Sequence, residues 1–213
     1  MPSLNQTRMK DELEFREIPP TDRAVLEKIG RLRVVAWSTE VPRMREEFPV
    51  WLDELDWNAR HWVFMCDDEP VAAARLSVHC NLQDVPDCDA CSVVFQEPPP
   101  SPIASMNRLV VAPTFRGKGL SKRLDCVRLQ AAAEMGCKRV IVATSSGEHR
   151  VRQLVSLGFE CIGKWQPPND SPGPAGLIDA AMPGPLVVLI HCLRLNANGG
   201  GQDLNTLDAR MTR

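Results

Sequence analysis

Residues 106–145 constrain the fold more than any other part of the chain. "MNRLVV" is a β-like run, "RGKGLSKRLDCVRLQAAAEMG" a glycine-rich turn followed by a helix that closes at Gly136, and "KRVIVATS" a second, continuously apolar run. A strand, a helix and a strand in that order make a crossover, and its length lets the two strands lie side by side in parallel, buried by helices. The chain therefore reads as α/β (α+β), with neither an all-helical nor an all-β architecture open to it.

The flanks fit that frame. "LEFREI" (13–18) is a short strand, and 21–38 opens on "TDRA" and carries Val25, Ile29, Leu32 and Ala36 at helical spacing. A second helix is predicted after Pro49, with Trp51, Leu55 and Ala59 on one face. Residues 61–79 read as a hairpin turned at "DDEP", and 81–105 as a long loop holding a short strand at "CSVVF". Then come a helix in "EHRVRQLVSLGF", a strand in "ECIGKW" and a long final strand in "GPLVVLIHCLRL". The organisation expected is an extension (1–12), one domain (13–195) and a flexible tail (196–213).

At 213 residues, with 44% hydrophobic and 24% charged side chains, the chain has room for one well-packed domain. A formal charge of −2 excludes a surface built throughout to hold nucleic acid or an anionic membrane, so neither partner is expected. The polar start and the lack of a long apolar window predict a cytoplasmic protein. Most of the eight cysteines sit in apolar runs and read as reduced core residues. Cys88 and Cys91 form a one-sided C-x-x-C with no second ligand pair, so no metal is expected.

The turn after "NRLVV" is built to attract anions. A helix start exposes unpaired N–H groups, Gly117 and Gly119 let a phosphate approach the backbone, and Arg116, Lys118, Lys122 and Arg123 add positive potential. Neither G-x-x-x-x-G-K-[ST] nor a completed G-x-G-x-x-G is present. Instead "RLVVAPTFRGKGLSKRL", followed by "KRVIVATS" and "HRVRQLVSLGFECIG", closely resembles the coenzyme-A-binding core of the GNAT superfamily of N-acetyltransferases. The likeness runs over roughly residues 61–165, and Ser121 stands where the family usually has Gly or Ala.

That resemblance implies a mixed, mostly antiparallel sheet of about six to seven strands, splayed at a parallel pair and flanked by about four helices. It also implies acetyl-CoA as acyl donor and a small-molecule or peptide amine as acceptor. Leu109, Val110 and Val111 would pair with the pantetheine arm, with the Val110 N–H on the thioester oxygen. Arg116, Gly117, Lys118, Gly119, Leu120 and Ser121 would hold the pyrophosphate, and Ser145 would lie beside the donor. Glu97, His79 and Glu160 are candidates for the base. The family's tyrosine acid is replaced by Leu154, and the chain has no Tyr; Ser145, Ser146, Cys161 or solvent would give the proton. Gly147 lies near the place of an Asn often found on the same helix.

A weaker resemblance links "RLRVVAW", "LDELDWNARHWVFMCDDEPVAAARL" and "NRLVV" to the acyl-homoserine-lactone and N-acyl-amino-acid synthases. It picks out Arg33, Trp37, Asp53, Asp56, Arg75 and Arg108, either as groups that orient an amine or as a structural ion network. Longer acyl donors, or a module that binds acyl-CoA without transferring it, are the alternatives to acetyl transfer. A homodimer is expected if the long last strand lies at a sheet edge.

Overall fold

The computed structural model describes residues 12–86, 88–145, 147–166, 178 and 188–195. Among the described residues seven strands form a single sheet: β1 (Glu14–Ile18), β2 (Arg60–Cys66), β3 (Glu69–His79), β4 (Ile103–Val111), β5 (Arg139–Ser145), β6 (Glu160–Trp165) and β7 (Val188–Arg194). Their order is β1-β2-β3-β4-β5-β7-β6, and β4 beside β5 is the parallel pair. The other neighbours are antiparallel.

The described helices are α1 (Arg23–Trp37), α2 (Met44–Glu47), α3 (Cys88–Val94), α4 (Leu120–Glu134) and α5 (Glu148–Ser156). The Asp22 side chain accepts from the Val25 N–H at 3.1 Å and starts α1. Strand alternation decides which helix each residue meets. In β2, Trp62 and Phe64 join the cluster that contains Leu124 and Leu129 of α4, while Val63 and Met65 join Leu26 and Ile29 of α1. The sheet is thus buried on both faces, as the apolar crossover required.

Two backbone irregularities shape the site. The β4–β5 ladder registers Ile103, Ala104 and Ser105 with Arg139, Val140 and Ile141 and then stops, although β4 continues to Val111 and β5 to Ser145. Beyond Ser105 the two strands have parted. On the other side of β4, Arg75 pairs with Asn107 but Ala73 pairs with Val110, so β4 holds one extra residue, a β-bulge. Arg108 sits in it at φ 52°, the left-handed region that non-glycine residues seldom adopt.

Several local expectations are corrected. The stretch after Pro49 is not an amphipathic helix; it is extended apart from a 3-10 turn at Glu54–Trp57. Asp53 accepts from the Leu55 N–H and Asp56 accepts from the Asp53 N–H at 2.8 Å, which tightens the chain locally. Arg33 draws Asp56 into the interior instead of leaving it on a polar face. "CSVVF" is not a strand but falls largely in α3, because Cys91, Val94 and Phe95, at helical spacing, pack together against the apolar face of β5 and β7. β4 begins at Ile103, inside the expected loop, and α2, with its buried Met44, was not anticipated. β7 is flanked by β5 and β6, so it offers no edge for a second copy. Residues 1–11 of the expected extension, the tail, Ser146, and the first residues of the "GPLVV" run lie outside the described residues.

Candidate active site

A continuous cleft opens where β4 and β5 part. One hollow, of about 690 Å³, lies over the start of α4 and is lined by Gly117, Gly119, Leu120 and Ser121. A second, of about 800 Å³, is floored by Arg33, Arg75, Asn107 and Arg108. Trp37, Leu109, Val110, Arg116 and His149 line both, so the hollows meet along the free edge of β4.

The first hollow has the character of an anion site. α4 follows Gly119 at its N-cap, which has φ 76° and makes no side-chain cap, so the first N–H groups of the helix receive no acceptor from a cap side chain. A Cβ added at Gly119 would meet nothing within 4 Å; glycine is needed there for its backbone angle. Arg116 turns towards α1, donating to the Ala36 carbonyl at 2.9 Å near that helix's end. The Ser121 hydroxyl donates to Gln153 Oε1 of α5 at 3.0 Å. Lys118 lies with its ammonium 4.4 Å from the centre of the Phe115 ring.

Strand geometry assigns the β4 amides. The Ala112 N–H donates to the Val71 carbonyl at 2.8 Å. Successive residues of a strand point their N–H groups to opposite edges, so the Val110 N–H faces its register partner Ala73 on β3. Those of Leu109 and Val111 face the other edge, which β5 has left.

The floor of the second hollow is a buried ion network. Arg33 holds Asp56 with two bonds of 2.8 Å and also donates to the Trp51 carbonyl at 3.0 Å. Arg75 bonds Asp53, contacts Asp56 at 3.0 Å and donates to Asn107 Oδ1 at 2.6 Å. Arg108 bonds Asp53 at 2.8 Å and stacks on Trp51, 4.4 Å from the ring centre. Gly30 permits this assembly, since a Cβ there would lie 2.5 Å from Val50; its carbonyl accepts the Trp51 N–H. Burial favours protonation of Asp56, but the bonds and charge of Arg33, with Arg75, outweigh it and hold the carboxyl far below the usual carboxylate range. The floor therefore sets three guanidiniums against two carboxylates.

His61 supports this floor from β2. Its Nε2 lies 3.0 Å from the Asp56 carbonyl and so must donate to it, while Nδ1 is buried without a partner. Burial pushes its pKa down to about 4, and the ring is neutral.

The sequence-proposed residues divide cleanly. Arg33, Asp53, Asp56, Arg75 and Arg108 come together, and Leu109–Val111 with Arg116–Ser121 border the donor hollow, except that Lys118 does not line it. Ser145 closes β5. His79 is buried, with Nε2 2.8 Å from Ser105 Oγ, and lines neither hollow. Glu97, Glu160 and Cys161 are exposed outside both, and Leu154 is fully buried in the core. Glu40 and Glu148 were not singled out as site residues; they line the cleft together with His149, and His149 and Glu40 lie at the junction. Among the described residues no group of three or more His, Cys, Asp or Glu side chains is arranged to hold a metal, and no helix is long and apolar enough to cross a membrane.

Among the described residues the sheet parts at its parallel pair, β4 and β5, and the start of α4 lies at that gap. The model of the acetyltransferase (GNAT) family matches residues 26–159, and the chain belongs to that family. A solved CoA-dependent acyl-homoserine lactone synthase, BjaI, is similar over 94% of this chain and 90% of its own, with TM-score 0.63 and 16% identity. The ribosomal-protein-S18-alanine N-acetyltransferase from Escherichia coli is similar over 89% and 97%, with TM-score 0.56 and 13% identity. A Drosophila melanogaster polyamine N-acetyltransferase is similar over 86% and 100%, with TM-score 0.55 and 15% identity. No curated protein sequence matches significantly.

Proposed function

We propose that the protein transfers an acetyl group from acetyl-CoA to a primary amine of a small molecule or peptide, by direct attack with both substrates bound. The observation that carries this reading is the meeting of the two hollows at the free edge of β4. One end offers unpaired helix N–H groups to a pyrophosphate, and the other offers an arginine–aspartate floor to an acceptor.

In this reading the pantetheine arm pairs with the open edge of β4 and brings the thioester to the bulge. The Leu109 N–H, not that of Val110, donates to the carbonyl oxygen as it becomes an oxyanion, because Val110 is committed to β3. The neutral amine attacks the thioester carbon, the C–S bond breaks, the amine loses one proton and the thiolate gains one. Glu40, Glu148 and His149 are the titratable cleft groups placed to accept or return these protons. His149, which faces both hollows, replaces the missing tyrosine as donor to the thiolate.

The test is release of free thiol from acetyl-CoA across a panel of amino acids, polyamines and peptide N-termini. Amide formation with one of them is expected. Turnover with longer acyl donors alone would overturn the acetyl assignment, and tight CoA binding with no transfer to any amine would overturn the enzyme reading.

A further inference from the structure

We infer that Arg128 of α4 is a positioning residue of the donor cleft: it holds the β4 bulge so that the Leu109 N–H stays turned into the gap. The inference rests on the acyl-CoA reading above.

Arg128 is fully buried, and two of its three nitrogens donate to backbone carbonyls. Nη1 reaches the carbonyls of Arg75 at 3.1 Å and Asn107 at 3.2 Å, and Nε reaches the Leu124 carbonyl at 3.2 Å. Arg75 and Asn107 are the last pair in register before β4 takes in its extra residue. The guanidinium therefore sits at the step where the ladder changes register. The next residue, Arg108, is at φ 52°, a conformation that is strained for a side-chain-bearing residue and persists only where its surroundings impose it.

The alternative to the bulge is a ladder slipped by one residue, and a slip of one reverses every N–H along the strand. Leu109 would then face β3 and the gap would lose its donor. An apolar side chain of similar size would fill the space under α4 but leave the two carbonyls at the register step without this donor, so the bulge would lose the contact that marks its place. Filling space alone would not call for a buried cation; the two carbonyl bonds do.

The charge is balanced by Asp125, also fully buried, which bonds Arg128 and takes Arg150 and Gln153 from α5. Gln153 in turn accepts the Ser121 hydroxyl from the anion turn. One carboxylate thus fixes the bulge, the turn and α5 relative to one another.

The test compares two probes by calorimetry: CoA, and adenosine 3′-phosphate 5′-diphosphate, which keeps the diphosphate but has no pantetheine. In the unaltered protein CoA binds more tightly, because only CoA reaches β4. Arg128→Met is expected to reduce that preference about tenfold, while affinity for the fragment stays within about twofold and the far-UV circular dichroism is unchanged. If Arg128→Met does not fold, Arg128→Lys decides, since one ammonium does not reproduce the guanidinium's separate bonds to both carbonyls, to Leu124 and to Asp125; its preference should fall at least about threefold. A folded variant that keeps the full preference overturns the positioning role alone. Equal binding of the two probes to the unaltered protein overturns the acyl-CoA reading as well.

Discussion

The guanidinium of Arg33 and the carboxylate of Asp56 face each other through two bonds of 2.8 Å, with side chains 1% and 0% exposed. One comes from α1 and the other from the loop before β2, so this pair fixes the acceptor-side floor to the first helix. Removing a single partner leaves the other charged and buried. Asp56→Asn is expected to destabilise the protein by about 3–5 kcal/mol in urea unfolding. In the double variant Arg33→Met/Asp56→Leu much of that loss should return, because neither charge is then stranded.

His61 makes stability fall in mild acid. Its folded pKa, lowered to about 4 chiefly by burial, lies below the ordinary value of about 6.5, so the unfolded chain takes up a proton first as pH drops. The stabilisation is complete above about pH 6.5 and is lost as pH falls through the folded pKa, amounting to roughly 3 kcal/mol. Unfolding free energies measured across that range should show the slope, and His61→Gln should flatten it. An unchanged slope would mean that another group is responsible.

Gly119 combines φ 76° with open space where a side chain would go. Gly119→Ala should therefore cost about 1–2 kcal/mol in thermal or urea unfolding, through backbone strain and not through a clash. CoA affinity should fall with it as the first turn of α4 shifts, and titration calorimetry reads both donor fragments and whole CoA.

His149 faces both hollows, whereas Glu97 is exposed outside them. With an amine that is turned over, His149→Gln should lower kcat by roughly 10²-fold with the KM for acetyl-CoA nearly unchanged. Glu97→Gln should leave both constants as they are. The reverse pattern would return the proton-transfer role to the long segment between β3 and β4.

The donor half of the site was legible because its chemistry is local. A strand, two glycines and a helix start lie within residues 106–124, and adjacent residues meet whatever the remainder of the chain does. The arginines and aspartates of the acceptor floor were legible as a group through family likeness, but not their burial. Asp56 looks in the sequence like the polar face of a helix; Arg33, from 23 positions earlier, pulls it inside. Asp125 and Arg128 lie three residues apart on α4, and nothing local reveals that their partners are the β4 bulge and α5. His79 and Glu97 were proposed on residue type, which carries no information about which side of the sheet a group will face.

The parting of β4 from β5 leaves a length of β4 from Met106 to Val111 without a strand neighbour on that side among the described residues, roughly 20 Å at ~3.3 Å per residue. Such an edge, exposed at the rim of a sheet, would recruit other chains; here it is lined by residues of α1, α4 and α5. A partner completes it by presenting amide groups in a line at the repeat of a peptide. On the proposed reading, a ligand at this edge would be selected first by its outline and amide spacing.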